Sequence, residues 1–147
     1  MTSKGFAQLI GWVFLAVGIL GFFPAFRTAP LAGEVPNLAF DGGFGYLLGL
    51  FAINWLHNVV HVGVGIAGIT SARNVVHAQA FARGLTWLYG ALAIMGLFSL
   101  LNVTFGLIPL FGHDIWLHAG TAALASYFGY GRRSEVTEID KDYRQAA

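Results

Sequence analysis

Apolar positions along this chain come in long runs broken by short polar punctuation, and the runs have the length of helices rather than of strands. The first extends from Phe6 to Phe23 and stops at Pro24. A second lies inside a stretch from Phe44 to Thr70 that carries no formal charge. A third covers about 83–101, and a fourth starts near Asp114 and ends at Gly129–Tyr130–Gly131, just ahead of Arg132. A bilayer-spanning helix needs about 20 largely apolar residues. The pattern therefore predicts spans over about 6–23, 54–70, 83–101 and 114–130. The expected fold class is all-α: an integral membrane four-helix bundle occupying residues 1–131, with a charged cytoplasmic tail over 132–147.

The stretch from Phe44 to Thr70 is too long for one untilted span. Asn54 divides it, because its side-chain oxygen is well placed to accept from the first free backbone N–H groups of a helix. Phe44 to Phe51 then reads as a short interfacial or re-entrant helix, and Asn54 to Thr70 as the main span. Asp114 stands in the same relation to the fourth helix, where its charge suits the positive end of the dipole.

The two halves of the pattern repeat. Phe6 to Trp12 lines up with Phe81 to Trp87, and on the same offset Gly21 meets Gly96 and Phe23 meets Phe98. Further on, Leu50–Phe51 followed by Trp55–Leu56–His57 matches Leu110–Phe111 followed by Trp116–Leu117–His118. The bundle is thus expected as two tandem helical hairpins related by a pseudo-two-fold axis along the membrane normal. Small residues four apart, Gly63 with Ala67, Ala119 with Ala123 and Gly45 with Gly49, are expected to let helices approach closely.

Composition supports lipid as the solvent. Hydrophobic residues make up 56% of the 147 and charged ones only 10%, against about 25% charged in an ordinary soluble domain. Residues 1–131 hold seven formal charges, and the other eight lie from Arg132 onward. Seven charges are too few to clothe a water-exposed surface. The run from Phe6 to Phe23 is longer than the apolar core of a signal peptide, and no Ala-x-Ala site follows it, so a retained helix is expected. With four spans, Lys4, Arg73, Arg83, Arg132, Arg133, Lys141 and Arg144 fall on one side and only Arg27 on the other. The positive-inside rule then puts both termini in the cytoplasm.

A net charge of +1 without a basic cluster argues against a nucleic-acid partner. Cysteine is absent, which removes disulfides and thiolate chemistry. There is no phosphate-binding glycine loop, no Ser-His-Asp set and no pair of intramembrane carboxylates. A proton-coupled transporter usually keeps an acidic residue within the membrane, so a transport role is disfavoured.

Histidine is what remains. His57 and His61 are four apart and share one helix face, and His118 is the repeat counterpart of His57. All three lie within about 10 Å of the outer helix ends. His113 is expected in the outer loop and His77 in the cytoplasmic one. One reading makes the three imidazoles structural, hydrogen-bonding across the bundle. The other makes them a site: axial ligands of haem or another tetrapyrrole, or a three-histidine metal site. The spacing of His57 and His61 is that of a zincin helix, but the glutamate base is missing, so protease chemistry has no proton acceptor. Asn102–Val103–Thr104 fits a glycosylation sequon, a short and common pattern.

Leu48–Gly49–Leu50–Phe51, then Asn54–Trp55–Leu56–His57–Asn58–Val59–Val60–His61, and later Asp114–Ile115–Trp116–Leu117–His118 together resemble a family of bacterial membrane proteins catalogued as domain of unknown function 4383. The likeness covers about residues 6–130. It implies a four-helix topology in a bacterial inner membrane and makes His57, His61 and His118 family features. It implies no activity, substrate or cofactor. The leading expectation is a non-enzymatic structural or accessory subunit in the lipid bilayer, in a homo-oligomer or a larger membrane complex. The alternative is a tetrapyrrole- or metal-binding membrane protein that uses these histidines, with electron transfer as the chemistry it would serve.

Overall fold

The computed structural model describes residues 1–31 and 36–132. Glu34 and the charged tail beyond Arg132 lie outside the described residues. The chain is mostly helical, with α1 at Ser3–Leu20, α2 at Trp55–Ser71, α3 at Val75–Gly96 and α4 at His113–Ser126. A five-residue π-helical turn, Tyr127–Gly131, continues α4. α1 packs mainly along α2 and α3 mainly along α4. The helices therefore form two hairpins in sequence order. Of the four, α1 alone is both long enough and apolar enough by itself to cross a bilayer.

Three of the four helices start on a side chain that accepts from free backbone N–H groups. Thr2 accepts from Gly5, Asn54 from His57, and Asn74 from Val76 and His77. The Asn74 cap explains why α3 begins at Val75 rather than near Arg83: its first two turns precede the apolar run that marks the expected span. α4 starts after Gly112, a glycine with φ of +68°. Asp114 lies in its first turn and does not cap it, contrary to expectation.

Residues 44–51 are not the expected interfacial helix. Arg27–Thr28, Gly45–Leu47 and Phe51–Ile53 form β1, β2 and β3 of a small antiparallel sheet. Tyr46 pairs with Ala52 and Leu47 with Phe51. The β2–β3 reversal runs through Leu48 and Gly49, both at positive φ. In a short, continuously apolar run, periodicity cannot separate a three-residue strand from a helix. The sheet and two loops close one end of the bundle. Ala39 donates to the Gly106 carbonyl at 2.8 Å. Asn54 donates from Nδ2 to the carbonyls of Phe40 and Leu107, so the residue that starts α2 also ties both loops to it.

The first hairpin is held by glycine, though not by the expected pairs. A Cβ at Gly11 would come 2.7 Å from the backbone nitrogen of Ile69, and one at Gly65 would come 2.5 Å from that of Leu15. Gly63, Ala67, Ala119 and Ala123 are exposed, and Gly45 belongs to the sheet. A helix apolar on all sides hides which face is inward, so small residues alone did not reveal the contact line. The central core, Phe6, Phe14, Leu85, Tyr89, Ala125 and Phe128, joins the hairpins, with the Phe6 and Phe128 rings stacked at 4.5 Å.

Candidate metal centre

α2 leaves the sheet at Asn54 and places His57 one turn in and His61 two turns in, both facing the bundle interior. α4 brings His118 to the same level. The three rings are buried, at 3%, 5% and 2% exposure. One ring nitrogen from each lies within 4.8 Å of the others. The His57 and His61 ring centres are 4.5 Å apart, and those of His57 and His118 are 6.4 Å apart. Residues separated by more than fifty positions in sequence thus converge on one point.

Aromatic neighbours pack against two of the rings. Phe14 of α1 stacks on His61 at 5.4 Å, and Tyr89 of α3 meets His118 edge-on at 5.1 Å. Every helix therefore contributes a side chain to the cluster or to its walls.

Hydrogen bonding distinguishes His57 from the other two. Its Nδ1 lies 3.1 Å from the Ala52 carbonyl. A carbonyl only accepts, so Nδ1 carries the proton and Nε2 presents its lone pair. The N–H of the same residue, Ala52, donates to Asp114 Oδ2 at 3.1 Å. One residue of β3 thus couples His57 to a buried carboxylate on α4, the kind of outer partner that orients a metal-ligating imidazole. Nδ1 of His61 and Nδ1 of His118 are buried and have no hydrogen-bond partner among the described residues. Buried polar groups are normally paired, so two such nitrogens in one cluster need a reason.

A cavity of about 180 Å³ adjoins all three rings and is otherwise mostly apolar. Thr104, from the loop between α3 and α4, lines it, and its buried hydroxyl has no partner among the described residues. Asn58, next to His57 on α2, is fully buried against Gly21, with neither side-chain polar atom bonded among the described residues. Neither Thr104 nor Asn58 stood out as a site residue in the sequence. Thr104 belongs to the sequon pattern, which gave no hint of an inward-facing hydroxyl. Asp114 was read only for its charge at a helix start. His113 and His77 are exposed and take no part.

Three neutral imidazoles offering nitrogen to one point can hold a transition-metal ion. A tetrahedral ion with bonds of about 2.0–2.1 Å sets its nitrogens about 3.3 Å apart, so the rings would have to draw closer to hold one. A macrocycle fits less well. Pockets for cofactor-sized ligands run to about 300–1,000 Å³, and the space beside these rings is well short of that.

A family model described as a domain of unknown function (DUF4383) matches residues 4–131. No curated protein and no solved structure matches the chain.

Proposed function

The chain belongs to the family of that domain of unknown function, and from this premise we propose that it is a multi-pass membrane protein whose core holds a transition-metal ion on His57, His61 and His118. The observation that carries the metal site is the convergence of three buried ring nitrogens within 4.8 Å. The reading of the imidazoles as packing glue requires them to be hydrogen-bonded across the bundle. Two of the three lack such a bond at Nδ1. The imidazoles bring no charge of their own, which favours an ion of low charge such as Cu(I) in apolar surroundings, with Zn(II) the natural competitor.

The membrane reading rests on an inverted distribution of polarity. Trp12, Ile19, Val59, Ile66, Trp87, Ile94, Trp116 and Leu124 are all exposed on the helices, while Asn54, Asn58, Gln79, Asp114, His57, His61 and His118 are buried. In water such an exterior would be an aggregation hazard; in hydrocarbon it is what solvation requires. Length supports it as well. α2 has 17 residues and rises about 26 Å, and α4 with its π turn runs from His113 to Gly131, about 28 Å, against a hydrocarbon core of about 30 Å. Lys4, Arg73, Arg83 and Arg132 gather at the end opposite the sheet, which supports cytoplasmic termini in a bacterial inner membrane.

The test is metal analysis of protein extracted in mild detergent from carbonate-washed membranes, using an affinity tag without histidines. The expected result is one transition-metal ion per chain after incubation with Cu(I) or Zn(II), lost in each of His57→Ala, His61→Ala and His118→Ala. A wild type that stays metal-free, or a triple variant that binds as well, overturns the metal site. Release of the protein into the carbonate wash overturns the membrane reading.

A further inference from the structure

Three nitrogen ligands leave a tetrahedral ion one open position, and open positions are where metal sites take up exogenous ligands. Resting on the metal reading above, we infer that this position binds a small neutral molecule of diatomic size, which reaches it from the hydrocarbon through the gap between α2 and α3 and is held by the Thr104 hydroxyl.

Three features carry this. The cavity of about 180 Å³ is lined by all three histidines, so a molecule held in it lies against the cluster. It contains no carboxylate, sulfur or fourth imidazole, and its remaining polar side chains are those of Tyr89 and Thr104, whose neutral hydroxyls bind a metal only weakly. It is large enough for a ligand of a few heavy atoms.

Thr104 lines the same cavity, and its buried hydroxyl has no partner among the described residues. It is put there by an unfavourable backbone. Thr104 and Phe105 have φ of +46° and +58°, and Gly106 follows at +84°. A β-branched residue in the left-handed region is a conformational outlier, and such conformations gather where a side chain must be held for function. A hydroxyl can donate to the far atom of a bound diatomic molecule.

The cavity's mouth settles the ligand's chemistry. Val60 of α2 and Leu88 of α3 both line the cavity and are 38% and 46% exposed. They lie on helices that touch each other far less than each touches its hairpin partner. In a membrane these side chains face lipid, so the mouth opens sideways into hydrocarbon. A charged ligand would be excluded there by desolvation, whereas a neutral diatomic molecule dissolves and passes.

Carbon monoxide on the Cu(I)-loaded, detergent-solubilised protein is the probe, with infrared spectroscopy as the readout under anaerobic conditions. One copper-bound C–O stretch per chain is expected. Thr104→Ala shifts that band at unchanged copper content, and Thr104→Ser, which keeps the hydroxyl, restores it. Leu88→Trp, which plugs the mouth, slows recombination after photolysis by about tenfold or more, equivalent to about 1.4 kcal/mol of added barrier. Copper present at one per chain without a C–O band overturns the inference and leaves the metal site standing. A band that Thr104→Ala does not move removes the hydroxyl's role, and recombination unaffected by Leu88→Trp removes the lateral path. Failure to take up copper or zinc at all is the separate result that overturns the metal site, and this inference with it.

Discussion

The two ends of the bundle both bury polar side chains, and one of them leaves several without partners among the described residues. At the end away from the sheet, the buried Ser3 and Gln79 and the exposed Arg83 all have partners. Ser3 Oγ donates to the Phe128 carbonyl at 3.1 Å, Gln79 Nε2 to that of Arg132 at 2.7 Å, and Arg83 Nε to that of Gly129 at 2.7 Å. A helix leaves its last four carbonyls unpaired, and here the π turn that ends α4 is capped by side chains from α1 and α3. At the sheet end, His61, His118, Thr104 and Asn58 keep buried polar atoms without partners among the described residues. Polar groups at one end finish the fold. At the other, Asn54, His57 and Asp114 finish the fold in the same way, while the unpaired atoms of His61, His118 and Thr104 belong to residues the proposed site would use.

That contrast breaks most readily at Asp114. Its carboxylate holds the Ala52 N–H, and the Ala52 carbonyl holds His57. Asp114→Ala frees that residue and lets the His57 ring turn. Loss of an outer-shell partner of a metal-ligating histidine typically costs 10–100-fold in affinity, so metal binding in Asp114→Ala is expected to weaken by about that factor, measured by competition with a chromogenic chelator. Unchanged affinity would make Asp114 a structural residue like those at the opposite end.

Arg83 tests the other side of the comparison. Arg83→Met keeps much of the side chain's length and removes its donors, leaving the Gly129 carbonyl without its charged partner. Stability is expected to fall by about 2 kcal/mol, read as a lower unfolding midpoint in detergent, with metal content unchanged. A variant that loses metal as well would show that the two ends are coupled rather than distinct.

How much of this could be read from the chain depended on the range of each interaction. Asn54, His57 and His61 lie within two turns of one helix, so spacing alone placed both rings on one face below a cap. His118 followed from the repeated Trp–Leu–His. The four helices were legible because each is a long apolar run. Asp114 was seen but not understood, because its partner is Ala52, sixty-two positions away. Thr104 was invisible as a site residue, since only closure of the α3–α4 loop turns it inward. The sheet was missed because strands of two and three residues leave no period to detect. The glycines at the α1–α2 contact, such as Gly11 and Gly65, could not be told by residue type from those in open space, such as Gly63, Gly84 and Gly120.

The finest test concerns the sign of a small effect. His61 is buried, stacks on Phe14, and carries an Nδ1 without a partner among the described residues. An unpaired buried nitrogen costs free energy, and an apolar side chain of similar size removes that cost. Replacement also gives up ring stacking worth about 0.5–1.5 kcal/mol, so the two effects nearly offset. His61→Leu is therefore expected to leave the metal-free protein as stable as the wild type or up to about 1 kcal/mol more stable, while abolishing metal binding. Arg83→Met moves the other way, losing stability and keeping the metal. The comparison turns on that opposition, measured on both variants stripped of metal in the same detergent. If His61→Leu destabilises the metal-free protein as much as Arg83→Met does, the rings are mortar like the polar groups at the far end, and the difference between the ends is one of depth rather than of purpose.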